Sequence, residues 1–166
     1  MPVIRPAHLG SICWGTHRPE DLLPAFADTL ESLLKLQSRR FKRAEYRKII
    51  QEARKLARDY PAKAEADQMA ADMEYSEFMM ETLFNAIQEF APAYCYFGAN
   101  EGDGADFGFW VLWQSIEHDF DGLKVKDLAE VPKGYRGEVL NVNDHCNAAL
   151  YVVNSRGKFR EIWGVV

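Results

Sequence analysis

The chain has 166 residues, of which 48% are hydrophobic and 27% charged, and a net charge of −5. That balance excludes global disorder and suits one globular domain with a core of its own. No apolar run approaches the roughly 20 residues that cross a bilayer, and Met1–Gly10 lacks the segments of a signal peptide, so the expected setting is the cytoplasm, without a membrane partner.

In chain order, Pro2, Pro6, Gly10 and Gly15 predict irregular chain or a short strand over residues 1–15. Thr16-His17-Arg18-Pro19-Glu20-Asp21 reads as a helix start, because proline suits the first helical position and acids favour the positive end of the dipole. Pro24 then implies either a separate first turn or a helix that begins there. Leu23, Phe26, Leu30, Leu33 and Leu34 keep one apolar face to about Leu36. A second helix is expected from about Arg40 to Arg58, with a stripe of Tyr46, Ile49, Ile50, Ala53, Leu56 and Ala57. Asp59-Tyr60-Pro61 ends it. A third runs from about Ala62 to Phe90, where Met69, Met73, Ser76, Met80, Leu83 and Ile87 step alternately by four and three, a heptad spacing. Its heptad stripe is compatible with a homodimer through this helix.

Charge is segregated along these helices. Residues 35–58 carry ten Lys and Arg against Glu45 and Glu52, and residues 59–122 carry fourteen acids against Lys63. An antiparallel hairpin of the second and third helices would bring opposite charges together, although exposed pairs contribute only about 0–1 kcal/mol each.

The second half turns aromatic. Tyr94–Phe97 and Phe107–Val111 read as strands around a long loop, Gly98–Asp106. Trp113–Asp119 suits a short helix and Leu123–Val125 a short strand. Glu138–Asn143, Ala148–Asn154 and Phe159–Val166 read as a meander through two polar turns. The fold class is therefore α+β: N-terminal helices with an antiparallel hairpin, then a small antiparallel sheet. With no repeat or low-complexity linker, residues 1–166 read as one domain, its helical half about 16–91 and its sheet half about 93–166.

Four pieces resemble a family of small uncharacterised proteins common in tailed phages and prophages. They are Trp14-Gly15-Thr16-His17-Arg18-Pro19-Glu20-Asp21-Leu22; Tyr94–Gly98 with Gly102–Trp110; Gly137–Leu140 with Val142–His145 and Asn147; and Glu161-Ile162-Trp163. Cys146 departs from the glycine that usually follows the Asp-His pair. The resemblance implies a phage setting and no mechanism.

Catalytic signatures are lacking: the sequence holds no glycine-rich phosphate loop, zinc spacing or Ser-His-Asp pattern, and names neither a cofactor nor a metal. Asn100, Glu101, Asp103 and Asp106 offer oxygen donors, but their spacing fails the EF-hand pattern and suits a turn. Cys13, Cys95 and Cys146 form no Cys-x-x-Cys pair and suit reduced thiols. Neither Cys13 beside His17 nor Cys146 beside His145 is strong enough to argue a nucleophile.

Two surfaces remain as candidates. Asp103, Asp106, Trp110, Asp144, His145 and Asn147 could meet a ligand or partner at one corner of the sheet. Arg39, Arg40, Lys42, Arg43 and Arg47 could meet a partner or nucleic acid, the latter disfavoured by the adjacent acidic helix. The expected function is a phage accessory protein, leaning non-enzymatic, that binds a host protein or nucleoprotein complex and blocks a host function such as defence. The alternative is a small-ligand binder or unrecognised enzyme with its pocket at Asn100–Asp106.

Overall fold

A computed structural model describes residues 6–37, 44–59 and 66–165, with backbone alone for 66–72. The fold is α+β, and the chain forms two compact units, residues 1–91 with 97–109 and residues 92–96 with 110–166.

Among the described residues the first unit holds three helices and most of a three-stranded sheet. Helix α1, Pro19–Leu36, opens with proline in its first turn and with Glu20 and Asp21 at the positive end of its dipole. The Thr16 hydroxyl accepts from the Arg18 amide (3.1 Å) and donates to Asp21 (2.8 Å), which fixes the entry. Contrary to both sequence-based alternatives, α1 runs unbroken through Pro24. An internal proline costs about 3 kcal/mol, whereas each buried Leu or Phe returns roughly 1.5–3 kcal/mol. Leu22, Leu23, Phe26, Ala27, Leu30, Leu33 and Leu34 are all buried, so packing wins.

Helices α2, Ala44–Asp59, and α3, Ala66–Gln88, form the expected antiparallel pair. Tyr46, at the start of α2, meets residues just past the end of α3: its ring lies edge-on to Phe90 (6.2 Å) and its hydroxyl donates to Glu89 (2.6 Å). The electrostatic account is different from the expected one. Arg54 of α2 pairs with Asp28 and Glu31 of α1, and Lys48 pairs with Glu52 of its own helix. Among the described residues no salt bridge joins α2 to α3.

The sheet order is β1-β3-β2, with β1 at Gly10–Cys13, β2 at Cys95–Asn100 and β3 at Asp103–Val111. Strand β1 runs antiparallel to β3, with Ser11 opposite Gly108. A Cβ on Gly108 would stand 2.2 Å from the Gly10 carbonyl oxygen, so this approach requires glycine. Phe97 lies at the centre of the core, its ring 5.1 Å from Phe26, 5.0 Å from Phe84 and 5.2 Å from Phe109. The Gln88 side chain ties helix to strand by accepting from the Phe97 amide (2.8 Å).

The second unit holds helix α4, Trp113–Asp119, and a four-stranded sheet of β4 (Leu123–Val125), β5 (Gly137–Asp144), β6 (Asn147–Val153) and β7 (Phe159–Val165). Strands β5, β6 and β7 make the expected antiparallel meander, and β4 adds to β5 in parallel. Val125, Val139 and Val153 centre a small core of this unit. Tyr94 takes a left-handed backbone (φ 60°), rare for a residue with a side chain. Its carbonyl accepts from the Leu112 amide (2.8 Å) and its hydroxyl donates to Glu138 (2.9 Å). Among the described residues no helix is long and apolar enough to cross a membrane.

Candidate functional site

The hairpin tip is shorter than its composition implies. Strands β2 and β3 continue to Asn100 and from Asp103, leaving Glu101-Gly102 as the turn. The Asn100 side chain accepts from the Gly102 amide (2.7 Å) and Asp103 from the Ala105 amide (3.0 Å). Asp106 accepts from the Ser11 hydroxyl, which joins β3 to β1 through side chains. These oxygens are engaged in shaping the turn and the sheet. Among the described residues no three His, Cys, Asp or Glu side chains gather as a metal site. Trp110 is half-buried near the end of β3 and belongs to the second unit, whereas Asp103 and Asp106 belong to the first.

Asp144, His145 and Asn147 surround the β5–β6 turn, and all three are exposed. Asp144 accepts from the Cys146 amide (2.8 Å), and Asp144 and Asn147 face each other in the ladder. His145 stacks on Trp113 of α4, centroids 4.4 Å apart and planes within 14°. Trp113 in turn meets Trp163 edge-on at 6.4 Å, and Trp163 donates its indole N–H to the Ala93 carbonyl (2.8 Å). Trp113 escaped the sequence reading because no local periodicity links a short helix to a turn 32 positions later.

Two of the thiols, Cys13 and Cys95, do not favour nucleophilic chemistry. Burial pushes Cys95 up to about 12, and burial with the nearby carboxylates of Asp21 and Asp106 also raises Cys13. A thiol so raised carries little thiolate at neutral pH.

Of the basic cluster, Arg39, Arg40, Lys42 and Arg43 lie outside the described residues, and Arg47 is exposed on α2. Arg47 borders a hollow of about 230 Å³ shared with Glu31, Lys35 and Arg54. There Arg54 and Lys35 hold the Glu31 carboxyl below its usual range. This mixture of signs contrasts with the uniform positive groove that tracks a phosphate backbone.

Two other features of the first unit were not singled out from sequence. A broad cleft of about 540 Å³ lies between residues 7–12 and α1, but its Ser11 and Asp28 are engaged by Asp106 and Arg54. A second hollow, about 420 Å³, is lined by His17, Pro19, Met73, Ser76, Glu77 and Met80. Met73 is 49% exposed, while Ser76 is buried and donates to the Met73 carbonyl (2.8 Å). The segment leading into it carries Trp14, 75% exposed, on an anchored backbone: the Gly15 amide bonds the Ala105 carbonyl (3.0 Å) and the His17 ring meets Phe107 edge-on (6.0 Å). An indole held out in solvent beside Gly15 and the polar Thr16-His17-Arg18 lies outside any apolar period, and that was the available signal.

No family model matches the chain, and comparison with curated proteins and with solved structures finds no match.

Proposed function

We propose that this protein is a phage or prophage accessory factor that acts by binding a host macromolecule, a protein or nucleoprotein complex in the host cytoplasm, and so blocks a host function such as defence. The observation that carries the binding role is Trp14, 75% exposed, with Cys13 before it paired to β3 and the Gly15 amide after it bonded to Ala105. Tryptophan is enriched among residues that dominate interface energy, because a rigid ring buries a large area at little entropic cost. The Met73 and Met80 walls of the neighbouring hollow add an adaptable apolar surface. The phage setting rests on the resemblance, whose first motif contains Trp14.

A binding role rather than catalysis is supported by how the polar groups are used. Asn100, Asp103 and Asp144 accept amides of their own turns, and Cys13 and Cys95 hold their protons. The same local bonds weaken the alternative of a small-ligand pocket at Asn100–Asp106.

Affinity capture from host lysate tests the proposal, with wild type compared against Trp14→Ser and Met73→Ser. A specific partner retained by wild type and lost by both variants, at unchanged thermal stability, is the expected result. Equal capture by all three would remove Trp14 from the interface. Turnover of a small molecule, abolished by Asp103→Asn or His145→Gln in a folded protein, would favour the alternative.

A further inference from the structure

The three-stranded sheet has an open edge. Its order is β1-β3-β2, so β1 pairs with β3 on one side, and among the described residues no strand pairs with the other. In a strand paired on one side only, alternate residues turn their N–H and C=O groups outward, toward water or another chain. Proteins commonly guard such an edge with lysine or proline. Gly10-Ser11-Ile12-Cys13 carries neither.

Beside this edge runs the cleft of about 540 Å³ between residues 7–12 and α1. Every residue from Ala7 to Ile12 lines it. Side chains of extended chain alternate between faces, so a hollow beneath one face would be lined by every second residue. The unbroken run places the cleft along the edge instead. Its far wall is α1, where Ala25, Leu33 and Leu36 are apolar and Leu36 is 47% exposed. A Cβ on Gly10 would meet nothing within 4 Å, so the main chain stands open there.

Most polar side chains of the cleft are already engaged within the protein. Ser11 donates to Asp106, Asp28 accepts from Arg54, and Thr29 donates to the Ala25 carbonyl (2.8 Å). His8 and Ser32 are what remains, too little to hold a polar small molecule. The cleft offers main-chain groups at strand spacing and an apolar wall. An extended polypeptide matches both.

We propose that the cleft binds an extended, apolar segment of another protein, which adds to β1 as a further strand of the sheet. The main chain of that segment bonds the open edge, and every second side chain enters the cleft against Leu33 and Leu36. Strand β1 has four residues and a shift of register between Ser11 and Cys13. A second copy would bring an edge equally short and irregular, whereas a free segment adapts to this one and fills the cleft as well.

Selection of short peptides from a random displayed library, with the full chain as bait, tests this. The recovered peptides are expected to carry apolar residues at every second position. Methylation of their backbone nitrogens, one at a time, should weaken binding at least tenfold at alternate positions and little at those between. Binding should also protect amides within residues 8–13 from hydrogen exchange. Ser32→Glu with Leu36→Glu, both at exposed positions, should weaken the same peptides at least tenfold at unchanged thermal stability. No enriched peptide, binding that survives the double variant, or methylation losses without the alternate pattern would each overturn the proposal. So would sedimentation showing a wild-type dimer whose β1 amides are already protected. If no peptide is recovered while wild type still captures a host partner through Trp14, the docking of a strand falls and the proposed function stands.

Discussion

The aromatic residues of the two units are used differently. In the second unit the large rings have their polar atoms or faces engaged. Trp163 is 4% exposed and bonded to Ala93, Tyr94 bonds Glu138, Tyr135 bonds the Glu138 carbonyl, and Trp113 lies under His145. Among the described residues Phe159 alone of this unit's large apolar side chains is well exposed, at 41%, and Tyr151 meets it edge-on. The first unit divides its rings into a dry cluster around Phe97 and a set left in water, Trp14, Tyr75 and Phe78. Residue type does not separate core from surface here. Available burial does, and the exposed rings of the first unit are where recognition is to be sought.

The sharpest way to break that contrast is to remove one ring from each set. Phe97→Ala deletes a side chain that touches three other phenylalanines and leaves a cavity among buried neighbours. Such a change costs about 3–5 kcal/mol. Trp14→Ser, at 75% exposure, should alter stability by no more than about 0.5 kcal/mol. Urea unfolding of both proteins reads the difference. A large loss from Trp14→Ser would show that its indole is a packing residue and would move it out of the recognition set.

A smaller effect sharpens the second unit's half of the comparison. Burial, with the hydrogen bond to Glu138 and the charge of Asp121 and Asp119, pushes Tyr94 up to about 12. An unfolded tyrosine ionises near about 10. The folded state therefore holds this proton more tightly, so the contribution is whole below about pH 10 and is lost as pH rises toward 12. The urea midpoint of wild type should fall more between about pH 9 and about pH 11.5 than that of Tyr94→Phe. Tyr46 and Tyr151, also raised, remain in both proteins and cancel from the comparison. Equal falls would mean that Tyr94 is solvated like a free phenol.

What could be read in advance follows the range of the interactions. The three-and-four spacing of Leu23, Phe26, Leu30 and Leu33 is local, and it located α1; Trp113–Asp119 and Leu123–Val125 fell where expected for similar reasons. The fate of Pro24 depended on burial by distant elements, which spacing does not report. The stretch Gly98–Asp106 reads as loop by composition, yet Asn100 and Asp103 capture the nearby amides and strand pairing extends almost to the tip. Arg54 chose Asp28 and Glu31 of α1 over the acidic helix. Net charge per segment gives the field of a helix, but not which side chain another one reaches. Of the candidate site, Asp144 and His145 stand at the expected β5–β6 turn, whereas Asp103 and Asp106, expected in a loop, lie on β3, and the partners Ser11 and Trp113 came only with the fold.

The least costly test uses the His145–Trp113 stack as its own reporter. At 4.4 Å and nearly parallel, the imidazole covers one face of the indole. Stacked rings of this kind contribute about 0.5–1.5 kcal/mol beyond their buried area. At one pH, quenching of the indole emission by a neutral quencher should therefore be stronger in His145→Gln than in wild type, because the covered face opens to solvent. His8, His17 and His118 are present in both proteins, so the difference isolates the stacked pair. Trp163, edge-on to Trp113 at 6.4 Å, should follow in the near-ultraviolet dichroism if the rings behave as one coupled set. Equal quenching in the two proteins would leave the exposed turn without a role in ordering Trp113.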